Sequence, residues 1–315
     1  MSRRTPIFAA ACFCLLASSG RVVWAFGDEA KPPPGGDSGR AGGPEKQAVT
    51  AEACVHDAAL RLDQFQSLSA RVRCKAEIFG QRIIGNGEYR QGSADAHLLR
   101  WDNKLQIGGE VATVQYVADG QYLWVHQNRR GKSTLDRVDI SPVLAAEETF
   151  PRAADGQLVF GSGLGAIGGL PRLMRSLDTS VDFDELSENK VPARTAKGTV
   201  EVPVLLATGT WSATAWSRIL PEQAAEIKAG APPNLRRLSE HVPDRIVLML
   251  AREDLFPYRI EYLRTSGDVR KPLMVIEFYE VQRNVKLDPQ LFTYTPGLIP
   301  FGEATAQFIG NLPTP

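Results

Sequence analysis

From Leu68 to Ile78, apolar and polar side chains alternate residue by residue. Leu68, Ala70, Val72, Cys74, Ala76 and Ile78 fall on one side, and Ser69, Arg71, Arg73, Lys75 and Glu77 on the other. Successive side chains of a strand point to opposite faces, so this pattern predicts a strand with one dry and one wet face. The pattern returns over 97–107. His97, Leu99, Trp101, Leu105 and Ile107 oppose Arg100, Asp102, Lys104 and Gln106. Further strands are expected near 81–91, 111–118, 121–128 and 132–140, with Asp119-Gly120 as a hairpin turn between two of them. More strands fit 190–198, 202–210, 244–251, 257–265 and 272–283. Strand succeeds strand through short turns, without regular βαβ alternation. That favours a curved antiparallel sheet over a parallel one.

Such a sheet needs a cover for its dry face. Thr50 is placed to cap a helix over 50–66, with Glu52 in its first turn. Val55, Ala58, Ala59, Leu62 and Phe65 give that helix one apolar face. Other helical stretches are expected near 141–148, 168–178 and 212–228, the last ended by Pro232-Pro233. No internal repeat is visible.

The first residues read as an export signal over 1–25. Arg3 and Arg4 precede an apolar run from Ile7 to Ala17, and Val23-Trp24-Ala25 ends on a small residue. The run is too short to span a bilayer. Cys12 and Cys14 lie inside it, with too little apolar sequence before them to suit a lipidation site. Residues 26–47 are rich in Gly, Pro, Ala and charge and nearly free of large apolar side chains. They cannot bury enough surface to offset their ordering entropy, so a flexible leader is expected there.

Charge excludes one class of partner. The chain has 36 basic and 36 acidic residues; subtracting Arg3, Arg4 and Arg21 leaves 33 against 36. This balance argues against nucleic acid. Cys54 and Cys74 remain after signal removal. In an oxidising compartment they fit either one disulfide or two buried thiols.

The motifs with chemical meaning fail on context. Gly163-Leu164-Gly165-Ala166-Ile167-Gly168 matches G-x-G-x-x-G, but no βαβ unit surrounds it and Pro171 interrupts the helix a dinucleotide would need. Gly131-Lys132-Ser133 lacks the first glycine of a phosphate loop, where His126 stands instead. His56, His97, His126 and His241 are not at metal-binding spacing, and no G-x-S-x-G elbow exists. The expectation is therefore a chain without catalytic residues, metal or cofactor.

Large apolar side chains are concentrated on the strands. One stretch, Val117-Ala118-Asp119-Gly120-Gln121-Tyr122-Leu123-Trp124-Val125, resembles a hairpin of the LolA/LolB-like lipoprotein carriers. A second runs from Phe278 through Asn284-Val285-Lys286-Leu287-Asp288-Pro289-Gln290-Leu291-Phe292-Thr293-Tyr294-Thr295-Pro296-Gly297 and looks like the closing signature of that family. Ser67-Leu68-Ser69-Ala70 after an amphipathic helix is also similar, and the order of the three pieces agrees. The resemblance covers roughly 48–300, leaving 301–315 as a tail.

The resemblance implies an α+β fold, a half-open antiparallel barrel with helices over its concave face. It further implies a periplasmic carrier or binder of lipoprotein acyl chains or another hydrophobic ligand. Leu99, Trp101, Val114, Tyr116, Leu123, Trp124 and Phe278 would form the cavity walls, and the helices of 141–180 and 212–228 the lid. A regulatory module of the same fold that binds a membrane protein is the alternative, and a transient membrane-protein partner is expected beside the hydrophobic ligand. The carriers close their lid with an Arg-Pro after a Gly-acid-aromatic strand. Here Gly87-Glu88-Tyr89-Arg90-Gln91-Gly92 offers Arg90 offset from that place, with no Pro behind it.

Overall fold

The computed structural model describes residues 49–78, 80–149, 167–195, 198–267 and 269–310. The expected signal peptide and leader, Cys12, Cys14 and residues 163–166 of the glycine motif lie outside the described residues.

Helix α1 (Ala51–Asp63) comes first, followed by six strands in succession. They are β1 (Leu68–Ile78), β2 (Gln81–Gln91), β3 (Leu98–Ile107), β4 (Glu110–Asp119), β5 (Tyr122–Arg129) and β6 (Lys132–Asp139). Helices α2 (Ile140–Thr149) and α3 (Gly169–Ser180) lead to a long hairpin, β7 (Val181–Thr195) and β8 (Gly198–Trp211). Short helices α4 (Ala213–Ile219) and α5 (Ala224–Lys228) precede β9 (Arg245–Ala251), β10 (Pro257–Ser266) and β11 (Val269–Arg283). The described chain ends with β12 (Gly302–Glu303) and α6 (Thr305–Gly310).

All the strands join one 12-stranded sheet in the order β12-β6-β5-β4-β3-β2-β1-β11-β10-β9-β8-β7. Neighbours are antiparallel except β12, which lies parallel to β6. The sheet is open, with β7 and β12 at its two edges. The antiparallel sheet expected from the alternation forms, and with its helices it makes the α+β fold that the resemblance implies. β1, the strand with the clearest period of two, sits in the interior of the sheet between β2 and β11. Its odd residues face salt-bridge partners such as Glu280 and Glu277, and Leu68, Ala70, Val72, Cys74 and Ala76 enter the core.

α1 starts where expected: Thr50 Oγ1 accepts a hydrogen bond from the Ala53 amide at 3.2 Å, satisfying one of the helix's free donors. Cys54, Val55, Ala58, Ala59 and Leu62 are buried, and Leu60, on the other side, is exposed. These residues, the α3 face and the dry face of the sheet form one continuous apolar cluster. Full burial of each Val or Leu in it is worth ~1.5–3 kcal/mol.

Four boundaries differ from the sequence reading. The expected helix over 212–228 is two pieces, because Pro221 has no amide hydrogen to continue the ladder and instead opens a 3₁₀ turn. The hairpin expected at 190–210 begins at Val181, where acidic residues and a bulge between Phe183 and Glu185 blur the alternation. The tail beyond 300 joins the fold: β12 pairs with β6, and the Ala304 amide donates to Arg137 O at 2.8 Å. The turn after β4 also shifts by one residue, leaving Gly120-Gln121 between the strands. Asp119 Oδ1 accepts from the amides of Gln121 and Tyr122 at 2.9 and 2.7 Å.

Candidate ligand site beneath the helical cover

Strand register decides which of the expected wall residues share a face. Tyr89 pairs with Trp101, Trp101 with Tyr116, and Tyr116 with Val125. The next row runs Val72, Gly87, Asn103 and Val114, with Phe278 joined through Val72. A third row runs Gln91, Leu99, Ala118 and Leu123. Leu99, Trp101, Val114, Tyr116, Leu123 and Phe278 therefore lie on one face, the inner one. Trp101 stacks on Tyr116 with centroids 5.6 Å apart, and Tyr89 meets Phe278 edge-on at 6.2 Å.

Trp124 leaves this set. It follows Leu123 directly, so its side chain must take the opposite face. There it joins Val117 and Leu135 in a separate cluster with Tyr122, Tyr294 and Ile299. The six inner-face residues are between 0% and 7% exposed, so in this structure the wall is closed over.

α1 and α3 form one part of the cover, and α4 and α5 join the same apolar cluster through Ala215, Trp216 and Ile227. Along α3, Leu170, Leu173, Met174 and Leu177 face inward, at the i, i+3, i+4, i+7 spacing of one helix face. Its entry is pinned by a buried polar latch. The Leu170 amide donates to Tyr89 Oη at 2.8 Å, Tyr89 Oη donates to Gln91 Oε1, and Gln91 Nε2 donates to Gly168 O at 3.5 Å. Burial pushes the Tyr89 phenol well above its ordinary value, partly offset by the Leu170 amide, so the hydroxyl stays protonated and keeps its donor role. Gly169 makes the latch possible. Its φ is +55°, and a Cβ there would stand 2.2 Å from Tyr89 Oη. Gly168, the last glycine of the sequence motif, serves as the N-cap of α3.

Arg90 does not take part. It lies on the outer face and pairs with Glu88 at 2.6 Å. Its neighbours Tyr89 and Gln91, both buried, hold the helix instead.

α1 and α3 are also tied to each other. His56 Nδ1 meets Asp178 Oδ2 at 2.9 Å, and Arg175 Nε lies 3.4 Å from Asp63 Oδ2. The hydrogen bond and charge of Asp178 raise the His56 pKa above 6.5. At the opposite end of α3, burial and Arg172 lower that of His97. Arg172 itself is brought down to about 10 by burial and by Arg175. Cys54 on α1 and Cys74 on β1 are both buried as thiols, with the Cys54 thiol pushed up by burial and then by Asp57.

A hollow of about 120 Å³ opens near the β1 bulge, lined by Ser69, Arg71, Glu88, Arg90, Glu280 and Gln282 among others. Its ion pairs, Arg71 with Glu280 and Arg90 with Glu88, make it a place for water and not for an acyl chain. Among the described residues, no three His, Cys, Asp or Glu side chains gather as a metal ion would require.

Sequence reasoning missed Tyr89, Gln91, Asn103 and Gly169. The first three carried a signal, since they sit at the inner-face positions of β2 and β3 by period two. Gly169 carried none, because only its contact with Tyr89 explains it.

No family model matches the chain, and no curated protein sequence does. Solved structures with a similar arrangement include LprF from Mycobacterium bovis, at 9% identity and TM-score 0.34 over 76% of this chain and 94% of that one. An outer membrane lipoprotein-sorting protein domain from Vibrio parahaemolyticus matches at 8% identity and TM-score 0.26, over 78% and 97%. MucB in the Pseudomonas aeruginosa MucA/MucB complex matches at 12% identity and TM-score 0.32; this chain covers 61% of MucB and 78% of its own length. At these TM-scores the likeness carries no weight for function.

Proposed function

We propose that this chain binds a hydrophobic guest, such as the acyl chains of a lipoprotein, on the inner face of its sheet and carries it outside the cytoplasm. The observation behind this reading is the form of the cover. An apolar face that spans the sheet is covered by helices, α1 and α3 among them, and the entry of α3 is held to the sheet by a polar latch of Tyr89, Gln91, Gly168 and Leu170.

Displacing such helices is cheap in the relevant currency. A guest replaces apolar helix side chains with apolar acyl carbons, so the sheet's burial is exchanged and not lost. The guest itself needs compensation. At ~0.8 kcal/mol per methylene, a sixteen-carbon chain requires roughly 13 kcal/mol of apolar surroundings to leave a membrane. Leu99, Trp101, Val114, Tyr116, Leu123 and Phe278 offer a contiguous surface of the right chemistry. No helix among the described residues is long and apolar enough to cross a membrane. Transfer of a guest between membranes would bring the chain against a membrane protein, and that transient partner belongs to the same reading.

The test is native mass spectrometry of the protein purified from the periplasm of its own host, together with titration of a fluorescent fatty acid. A co-purifying lipid mass or saturable uptake is expected. Absence of both overturns the reading.

A further inference from the structure

Two polar atoms on the inner face, Trp101 Nε1 and Asn103 Oδ1, lack a hydrogen-bond partner among the described residues. Trp101 is 1% exposed and Asn103 is 6% exposed. Trp101 Nε1 and Asn103 Oδ1 are buried, and neither makes a hydrogen bond among the described residues. They lie two positions apart on β3 and so project from the same face, roughly 7 Å apart along the strand. An indole N–H can only donate, and an amide oxygen can only accept. A buried polar atom left unpaired costs ~1–3 kcal/mol, so two side by side call for a common partner.

The surroundings say what that partner is not. On the inner face, Trp101 is flanked across the sheet by Tyr89 and Tyr116, and Asn103 by Gly87 and Val114. Leu99 and Leu105 continue the face along the strand. None of these carries charge. An ionised carboxylate or phosphate placed here would be desolvated without compensation. Gly87 leaves the oxygen of Asn103 uncovered by a neighbouring side chain. A Cβ at Gly87 would come within 3.2 Å of Asn103 Oδ1 and within 2.3 Å of Asp102 O, which a side chain could not survive.

We propose that Trp101 and Asn103 form a polar anchor, inside the hydrophobic site, for a neutral amide-linked acyl chain. The amide carbonyl accepts from Trp101 Nε1 and the amide N–H donates to Asn103 Oδ1. The assignment rests on the carrier reading above and adds the head group and its orientation, with the amide inward among the rings of Tyr89 and Tyr116.

The experiment is competition for the site against the apolar dye N-phenyl-1-naphthylamine. The competitors are hexadecanamide and methyl hexadecanoate, which share a chain and a carbonyl but differ in the donor. In the parent protein the amide should compete about tenfold better, the ratio that one net hydrogen bond supplies. In Asn103→Leu the ratio should fall toward one, whereas in Trp101→Phe both compounds, which share the carbonyl that accepts from the indole, should weaken by a similar factor and keep the parent's ratio. Asn103→Leu should also leave the guest-free protein as stable as the parent or more so, because it removes an unpaired polar atom. Equal competition by both compounds in the parent overturns the anchor, leaves the carrier reading standing and assigns the two atoms to a buried water. If the dye binds saturably nowhere and neither compound is taken up, the carrier reading fails and the anchor with it.

Discussion

The sheet is covered on both faces, and the two covers are built differently. On the inner face, α1 and α3 lie on an apolar surface and are held by the Tyr89–Gln91 latch. On the outer face, the C-terminal segment crosses β4, β5 and β6 and is locked by rings and charge. Tyr294 stacks on Trp124 at 5.4 Å, and Phe301 meets the same indole edge-on at 5.1 Å. The Arg137 guanidinium lies over Tyr122 at 4.5 Å and Phe301 at 4.9 Å, and pairs with Glu303. β12 then adds backbone bonds to the sheet edge. Cation–π contacts, stacked rings and strand pairing require specific geometry and are lost together when the segment shifts. Apolar contact is non-directional, and another apolar surface can replace it. On the proposed function, the outer cover is a fixed strap and the inner cover is the one a guest would replace.

Trp124→Ala should show the largest effect. It removes the centre of the outer cluster and should cost about 3–5 kcal/mol in chemical denaturation, as large aromatic truncations do. Guest uptake by the protein that remains folded should be unchanged, which separates the two faces. Tyr89→Phe comes next. It strands the Leu170 amide and Gln91 Oε1, at a cost of about 1–3 kcal/mol. The loss should appear as faster hydrogen exchange in α3 and faster dye entry, with β5 and β6 unaffected. Arg137→Leu, which removes the guanidinium over Tyr122 and Phe301, should loosen β12 and α6 alone, read as faster hydrogen exchange confined to those two elements.

The smallest effect concerns pH. Because Asp178 raises the folded His56 pKa, the pair's contribution is fully present below the unfolded value near 6.5 and is lost as pH rises through the folded value. An NMR titration should place His56 above 6.5 in the parent and return it toward 6.5 in Asp178→Asn. An unchanged His56 titration in that variant would remove the ion pair from the account of how α1 and α3 hold together.

Much of this architecture was legible in the residues alone. Period two placed β1 to the residue, because one buried face imposes a strict alternation that propensity need not assist. The same rule shows why Trp124 was misplaced. Adjacent residues 123 and 124 cannot share a face, yet a run of apolar side chains from Leu123 to Val125 hides which face is which when both are covered. The outer cover was invisible for that reason: its partners, Tyr294 and Phe301, lie more than 150 residues away in sequence. The latch was hidden differently. Tyr89 and Gln91 look like ordinary strand residues until α3 is laid across them, and nothing local to Gly169 announces that its hydrogen atom faces a phenol.

Native-state hydrogen exchange of α3 against β3 tests the central claim most directly. If the inner cover opens for a guest, the amides of Leu173 to Leu177 exchange through a local opening well below the free energy that exposes Trp101 and Leu105, and saturating hexadecanamide slows them. If α3 exchanges only together with β3 and its rates ignore the added compound, the helix is a fixed part of the core, and the inner face holds nothing but this chain's own side chains.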